Sequence, residues 1–408
     1  MDKKGIPAFV FIVLLLFLAE PLSSDFFSPA KNLSNDDDRF SFAKDIDVIP
    51  GTGNVFVIWA DLNLELERER VIFCKSTDGG ASWSPKVRLN CADPWWWEHS
   101  PYWEVGGAAM AVDDPYIHIV MSFRKDWLDD FEVFYRRSVD LGETWEPWIR
   151  LTNNSTPSWF PDVAAAGGYV HVVYVDDWPG NNEIMYQRIT GNGAGPVDQI
   201  RRLTYSSGNS GYPALAVSKN GLVVNVVYED DTSGTTQIFY KRITDSGTGA
   251  LETRRLTFGS NNKYGPSVVT SSGEDDQYVF LAYTEDWQGN DEIMYKRLDQ
   301  YGAAGGTVIT ARLTYSLTAS NSPAVAFDGS TNAAYVIYED TLSDNTDIFY
   351  KKLDTFGGAG FTTGRVSYGA GYSYRPRVAA GGGWAYVIWQ EDSGILGGIP
   401  EIFFKRGN

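Results

Sequence analysis

The feature that most constrains this chain is an internal repeat. A basic–aliphatic–hydroxyl triplet returns as Arg150-Leu151-Thr152, Arg202-Leu203-Thr204, Arg255-Leu256-Thr257, Arg312-Leu313-Thr314 and Arg365-Val366-Ser367, with Arg88-Leu89-Asn90 as an earlier copy. Most intervals are about 53 residues. A second motif pairs an acid or Gln with two apolar residues and an aromatic: Glu132–Tyr135, Glu183–Tyr186, Gln237–Tyr240, Glu292–Tyr295, Asp347–Tyr350 and Glu401–Phe404. Apolar runs ending in acidic pairs precede it: Asp176-Asp177, Glu229-Asp230, Glu285-Asp286, Glu339-Asp340 and Glu391-Asp392. Each unit opens on a proline and a short apolar stretch, as at Pro161, Pro213, Pro266, Pro323 and Pro376.

Each unit reads as four short strands joined by tight turns, with no lasting helical period. Aromatics at 14% within an apolar content of 43% favour strands. A four-stranded unit of about 50 residues is a propeller blade. The chain is therefore expected to be an all-β, seven-bladed β-propeller. The blades run from about Phe40–Asn90 to Tyr368–Asn408, and six blades is the alternative if the first unit is irregular. The last unit stops after its third strand. Lys31-Asn32-Leu33-Ser34 matches the basic–aliphatic–hydroxyl triplet and is expected to supply the missing edge.

Residues 1–24 read as a secretory signal: Lys3 and Lys4, an apolar run from Ile6 to Ala19, then small polar residues. An uncleaved membrane anchor is the other reading, and residues 25–408 form the propeller in both. The expected address is secreted or on the extracellular surface. A net charge of -18 disfavours nucleic acid and suits solubility or cations. Cys74 and Cys91 are expected to remain free thiols. A hairpin at Thr77–Ser82 sets Cys74 near Lys86, leaving Cys91 ~16 Å further along at ~3.3 Å per residue; a disulfide needs Cα atoms within about 7 Å.

Two turns sharpen the family. Ser76-Thr77-Asp78-Gly79-Gly80-Ala81-Ser82-Trp83 and Ser138-Val139-Asp140-Leu141-Gly142-Glu143-Thr144-Trp145 resemble the Asp-box, or BNR repeat, of the sialidase-like superfamily. Asp accepts amide bonds within such a turn, Gly supplies φ > 0 and Trp packs beneath the hairpin. The structural box residues implied are Ser76, Asp78, Gly80, Trp83, Ser138, Asp140, Gly142 and Trp145. The resemblance covers the first two blades; later units carry Gly-rich turns such as Thr244-Asp245-Ser246-Gly247. Sialidases clamp a carboxylate with three arginines, the first in a Phe/Tyr-Arg-Ile-Pro motif. The region around Phe40–Ala43 has no such motif, and the nearest echo is Tyr374-Arg375-Pro376-Arg377. No catalytic residue is assigned on this basis.

Loops joining edge strand to next inner strand, and second strand to third, share one face. The acidic pairs lie there, either as a ring for Ca²⁺ or a cationic ligand or as caps of their own turns; recurrence in nearly every unit favours caps. No cofactor is otherwise implied. The loop from Cys91 to Glu104 breaks the repeat, with Trp95, Trp96, Trp97, Glu98, His99, Tyr102 and Trp103. Arg124, Asp126, Trp127, Trp159, Asp162, Trp178, Trp287, Arg375 and Arg377 join it as candidate ligand-binding residues. Indole faces with a few charged groups suit sugar rings; the same aromatics could instead plug the channel or pad blade interfaces. A hydrolytic carboxylate pair could be drawn from Glu98, Glu104, Asp126 and Asp162. His118 and His171 sit in alternating strands as packed residues, and no metal site is expected. The function expected first is an extracellular binding propeller for a glycan or a cell-surface protein. A sialidase-like glycoside hydrolase and an architectural surface module are the alternatives.

Overall fold

A computed structural model describes residues 27–35, 39–63, 68–91, 104–124, 130–178, 180–271, 278–303, 306–342, 345–354, 361–369, 371–392 and 398–408. The leader lies outside these, and no helix among them is long and apolar enough to cross a membrane.

Seven antiparallel sheets of four strands each ring a central axis. The inner strands are Arg39–Ile49, Glu104–Asp113, Ser158–Ala166, Ser210–Val217, Lys263–Thr270, Ser320–Asp328 and Ser373–Gly381, for blades 1 to 7. Each packs on the next, and the seventh on the first. The second strand of a blade is enclosed on both faces by its neighbours, so it carries an unbroken apolar run: Val55 through Ala60 in blade 1 are all buried.

The two motifs found separately in the sequence form one latch. In blade 3 the Thr204 hydroxyl accepts the Ile184 amide at 2.8 Å, and Arg202 pairs with Glu183 at 2.7 Å. Thr152, Thr257, Thr314 and Ser367 receive Val133, Ile238, Ile293 and Ile348 in the same way, each at 2.8 Å. The latch ties the start of the third strand to the end of the edge strand, satisfying an amide that the short edge leaves without a ladder partner.

The amino-terminal segment completes blade 7. Lys31 pairs with Phe404 and Asn32 with Phe403. The Leu33 amide donates to the Ile402 carbonyl at 2.7 Å. Ser34 Oγ accepts the Ile402 amide at 2.8 Å and bonds to the Glu401 carboxylate. The borrowed strand thus reproduces the latch of the other blades.

In the two Ser-x-Asp turns, Asp78 Oδ1 accepts the Ser82 amide and Asp140 Oδ1 the Thr144 amide, both at 2.8 Å. The Ser82 hydroxyl and amide hold the exposed Asp78 carboxyl well below the usual range. The tryptophans reach past their own hairpins to the preceding blade. Trp83 meets Phe404 of blade 7 edge-on at 4.9 Å, and Trp145 meets Phe73 of blade 1 at 5.1 Å. The turn glycine is the reason: the preceding blade's aromatic comes so close that a Cβ at Gly80 (φ +88°) would lie 2.1 Å from Phe404. Gly193, Gly247 and Gly302 receive Tyr135, Tyr186 and Tyr240 in the same manner, so the Gly-rich turns of later blades serve the same seam.

Cys74 is a buried free thiol whose pKa burial pushes up; the side chain of Cys91 lies outside the description. His118 and His171 are fully buried, each ring 2.8 Å from a tyrosine hydroxyl, Tyr135 and Tyr186. Burial depresses both imidazoles to about 3.

Candidate functional site

The register of every inner strand breaks near the same level. In blades 3 to 7 the irregularity is a left-handed residue followed by proline: Phe160-Pro161, Tyr212-Pro213, Gly265-Pro266, Ser322-Pro323 and Arg375-Pro376. Proline suits a bulge because it has no amide to donate. A non-glycine residue at positive φ is strained and re-aimed out of the ladder. Phe160 (φ +49°), Tyr212 (φ +46°) and Arg375 (φ +53°) are held this way at the upper mouth of the channel.

The residue after the bulge stands at the inner edge of its blade, and where it is polar it reaches the next blade. It is Ala214, Ser267 and Ala324 in blades 4 to 6, but Asp45, Asp162 and Arg377 in blades 1, 3 and 7. These charged side chains are partly accessible yet enclosed by the ring, the setting of a narrow channel. Asp45 accepts the Ile46 amide at 2.9 Å and the Met110 amide of blade 2 at 2.8 Å. Asp162 accepts the Val163 amide at 2.9 Å and the Leu215 amide of blade 4 at 2.6 Å. Each carboxylate therefore fastens its blade to the next. Arg377 crosses the closing seam, its Nε donating to the Lys44 carbonyl at 2.9 Å.

Burial raises Asp45 to about 6, against the amide of Met110 and the charge of Arg377. Burial, then the proximity of Asp45, raises Asp162 to about 7. Above them stand Lys44 and Arg375. Lys44 is lowered by burial, against Glu69, and further by Arg375 and Arg377. Burial lowers Arg377 as well; Asp45 opposes that, Arg375 adds to it, and Glu339 and Asp162 oppose it further. The Arg375 amide donates to Glu339 at 2.7 Å, while its guanidinium lies over the Phe42 ring at 5.4 Å. Among the described residues, no carboxylate forms an ion pair with Lys44, Arg375 or Arg377. Phe160 and Tyr212 stack at 4.7 Å on the same mouth, both exposed.

Of the residues proposed from sequence, Asp162, Arg375 and Arg377 come together here. Arg124 is instead engaged with Glu104 at 2.9 Å, which removes Glu104 as an uncommitted carboxylate. Trp159 packs against the cluster between blades 3 and 4, padding the interface. Trp178 stands exposed on its turn, its amide on Asp176 at 2.8 Å. Trp95, Trp96, Trp97, Glu98, His99, Trp103, Asp126 and Trp127 lie outside the described residues. The aspartates of the acidic pairs serve their own blades: Asp176 and Asp230 accept Ser158 and Ser210 hydroxyls at 3.0 and 2.9 Å and cap the following turn, whereas Glu229 and Glu339 accept the Gly265 and Arg375 amides of the next blade, each at 2.7 Å. No group of three His, Cys, Asp or Glu among the described residues is arranged for a metal ion. The sequence reading missed Lys44, Asp45, Phe160 and Tyr212. The available signal was charge in Ala43-Lys44-Asp45-Ile46-Asp47, where the inner strands of blades 2, 4, 5 and 6 carry the small residues Gly107, Ala214, Ser267 and Ala324.

No family model matches the chain, and no curated protein matches it. Solved structures do. The chain is similar to the polysaccharide lyase Uly1 (TM-score 0.59, 10% identity, 94% of this chain and 99% of that one). It is similar to an alpha-L-arabinofuranosidase of Fusarium graminearum (TM-score 0.54, 14% identity, 81% and 96%). The Hadza microbial sialidase Hz136 is a third likeness (TM-score 0.55, 13% identity, 92% and 67%). At these identities the likeness is one of fold, shared with carbohydrate-active propellers.

Proposed function

We propose that this chain is an extracellular carbohydrate-binding propeller that takes an acidic saccharide at the upper mouth of its channel. The observation that carries the reading is the trio Lys44, Arg375 and Arg377: adjacent cations without an ion pair among the described residues, in a chain of net charge -18. Like charges held together oppose one another, and Glu69 beside Lys44 and Asp45, Glu339 and Asp162 beside Arg377 offset this only in part, since both cations stay lowered. A carboxylate or sulfate on a sugar matches the guanidinium fork, and the stacked Phe160–Tyr212 pair offers a ring face to its C–H side. The carbohydrate-active neighbours favour a saccharide over other anions. Removal of residues 1–24 as a signal and descent from Asp-box propellers belong to the same proposal.

Calorimetric titration with acidic and neutral oligosaccharides tests it. Lys44→Ala with Arg375→Ala should weaken acidic ligands about a hundredfold, a loss of roughly 2.7 kcal/mol, and leave the fold intact. Equal binding of acidic and neutral sugars would remove the cations from the site. The second reading is a glycoside hydrolase. It draws on Asp162 and Asp45, carboxyls raised to about 7 and about 6 near Arg377, as a general acid would need. Both carboxylates already hold two amides each, which favours binding over hydrolysis. Release of reducing ends that stops in Asp162→Asn would reverse that preference.

A further inference from the structure

Of the ten exposed aromatic side chains among the described residues, only Phe361 lies away from the upper face. Four of the others recur once per blade, directly after the latch triplet: Tyr205, Phe258, Tyr315 and Tyr368, exposed by 77%, 69%, 71% and 52%. The equivalent positions after Thr152 and Ser34 are Asn153 and Asn35, so the rings form one arc over blades 3 to 6. Each ring lies against the arginine of its own triplet. Arg202, Arg255, Arg312 and Arg365 sit 4.4, 4.9, 4.5 and 4.9 Å from the ring centroids. Three of these arginines are neutralised from behind by Glu183, Glu292 and Asp347, at 2.7, 2.8 and 2.5 Å.

We infer that this arc is a second binding surface, for an uncharged polysaccharide chain lying across the rim. Three features favour that occupant. The rings are fixed by their arginines, which lowers the ordering cost of stacking a sugar on the open side. The arginines are largely neutralised, so the arc attracts no anion as the channel mouth does. The rings are separated by polar loops such as Ser206-Ser207-Gly208-Asn209 and Gly259-Ser260-Asn261-Asn262. Spaced platforms suit a repeating ligand with apolar ring faces and hydroxyl edges, whereas a protein partner calls for a contiguous apolar patch. The choice of ligand class rests on the carbohydrate reading above, but the arc does not depend on the mouth. Several weak platforms engaged by one chain add through effective concentration.

The test is affinity electrophoresis of the full chain in gels containing linear arabinan, xylan or mixed-linkage glucan. The parent should be retarded by at least one of these polymers. A Tyr205→Ala/Phe258→Ala/Tyr315→Ala variant, altered only at exposed rings, should bind that polymer about tenfold more weakly, with its unfolding midpoint unchanged. Its affinity for a galacturonan trimer at the mouth should equal the parent's, and Lys44→Ala/Arg375→Ala should show the reverse pattern. No retardation of the parent by any of the three polymers, or equal retardation of parent and triple variant, overturns the arc. Loss of trimer binding by the parent would count against the mouth alone.

Discussion

Ser34→Ala tests ring closure at a single atom. Ser34 is fully buried, and its hydroxyl accepts the Ile402 amide at 2.8 Å while bonding to the Glu401 carboxylate. Removing that oxygen leaves a buried amide without an acceptor, which costs about 1–3 kcal/mol. Glu401 is only partly buried, so water replaces much of its lost bond. The expected destabilisation is therefore about 2 kcal/mol. Ser34→Thr should fall within ~0.5 kcal/mol of the parent, because threonine does the same work at Thr152, Thr204, Thr257 and Thr314. Urea unfolding gives the stability difference, and hydrogen exchange at the Ile402 amide reports the local bond. An alanine variant with an unchanged midpoint and a still-protected Ile402 amide would refute the claim that the amino-terminal strand clasps the ring through this latch.

Other consequences follow from the same contacts. Asp45, Asp47 and Asp162 are raised to about 6, 7 and 7, chiefly by burial, so the folded state keeps protons that the unfolded chain has released. Their joint effect is stability that falls as pH rises from about 4 to about 7. At about 1.4 kcal/mol per unit, Asp47 alone accounts for up to about 4 kcal/mol. Asp47→Asn should flatten the pH dependence of the urea midpoint, and an unflattened curve would remove Asp47 from it. Asp78, held low by Ser82, acts in the opposite sense: its contribution is lost as pH falls below the usual carboxylate range, so Asp78→Asn should weaken the protein at pH 7 more than at pH 3. Gly80→Ala combines φ +88° with a Cβ 2.1 Å from Phe404, whereas Gly51→Ala has φ +77° and nothing within 4 Å. Thermal melts should show the first well below the second, which costs only about 1 kcal/mol; equal melts would deny the seam contact.

How much could be read in advance differs between fold and site. The latch joins residues about twenty positions apart, such as Glu183 with Arg202, so it leaves a motif in every unit. Lys31–Ser34 carries that motif without its partner, which is why the closing strand could be found from residue types alone. The two Ser-x-Asp turns likewise hold themselves by bonds over four residues. The contacts of their tryptophans with the preceding blade could not be read, because nothing in a turn's sequence names its neighbour across a seam.

The chain's own sequence determined the number of blades, their four-stranded make-up and the means of closure, because short-range hydrogen bonds repeat at fixed spacing. The ring alone decided that Lys44, Asp45, Asp162, Arg375 and Arg377 share one channel mouth. Residues drawn from three blades, as far as 333 positions apart in the case of Arg377 and Lys44, meet only because seven sheets turn through a full circle. Their charges influence one another only because that circle keeps bulk water from screening them.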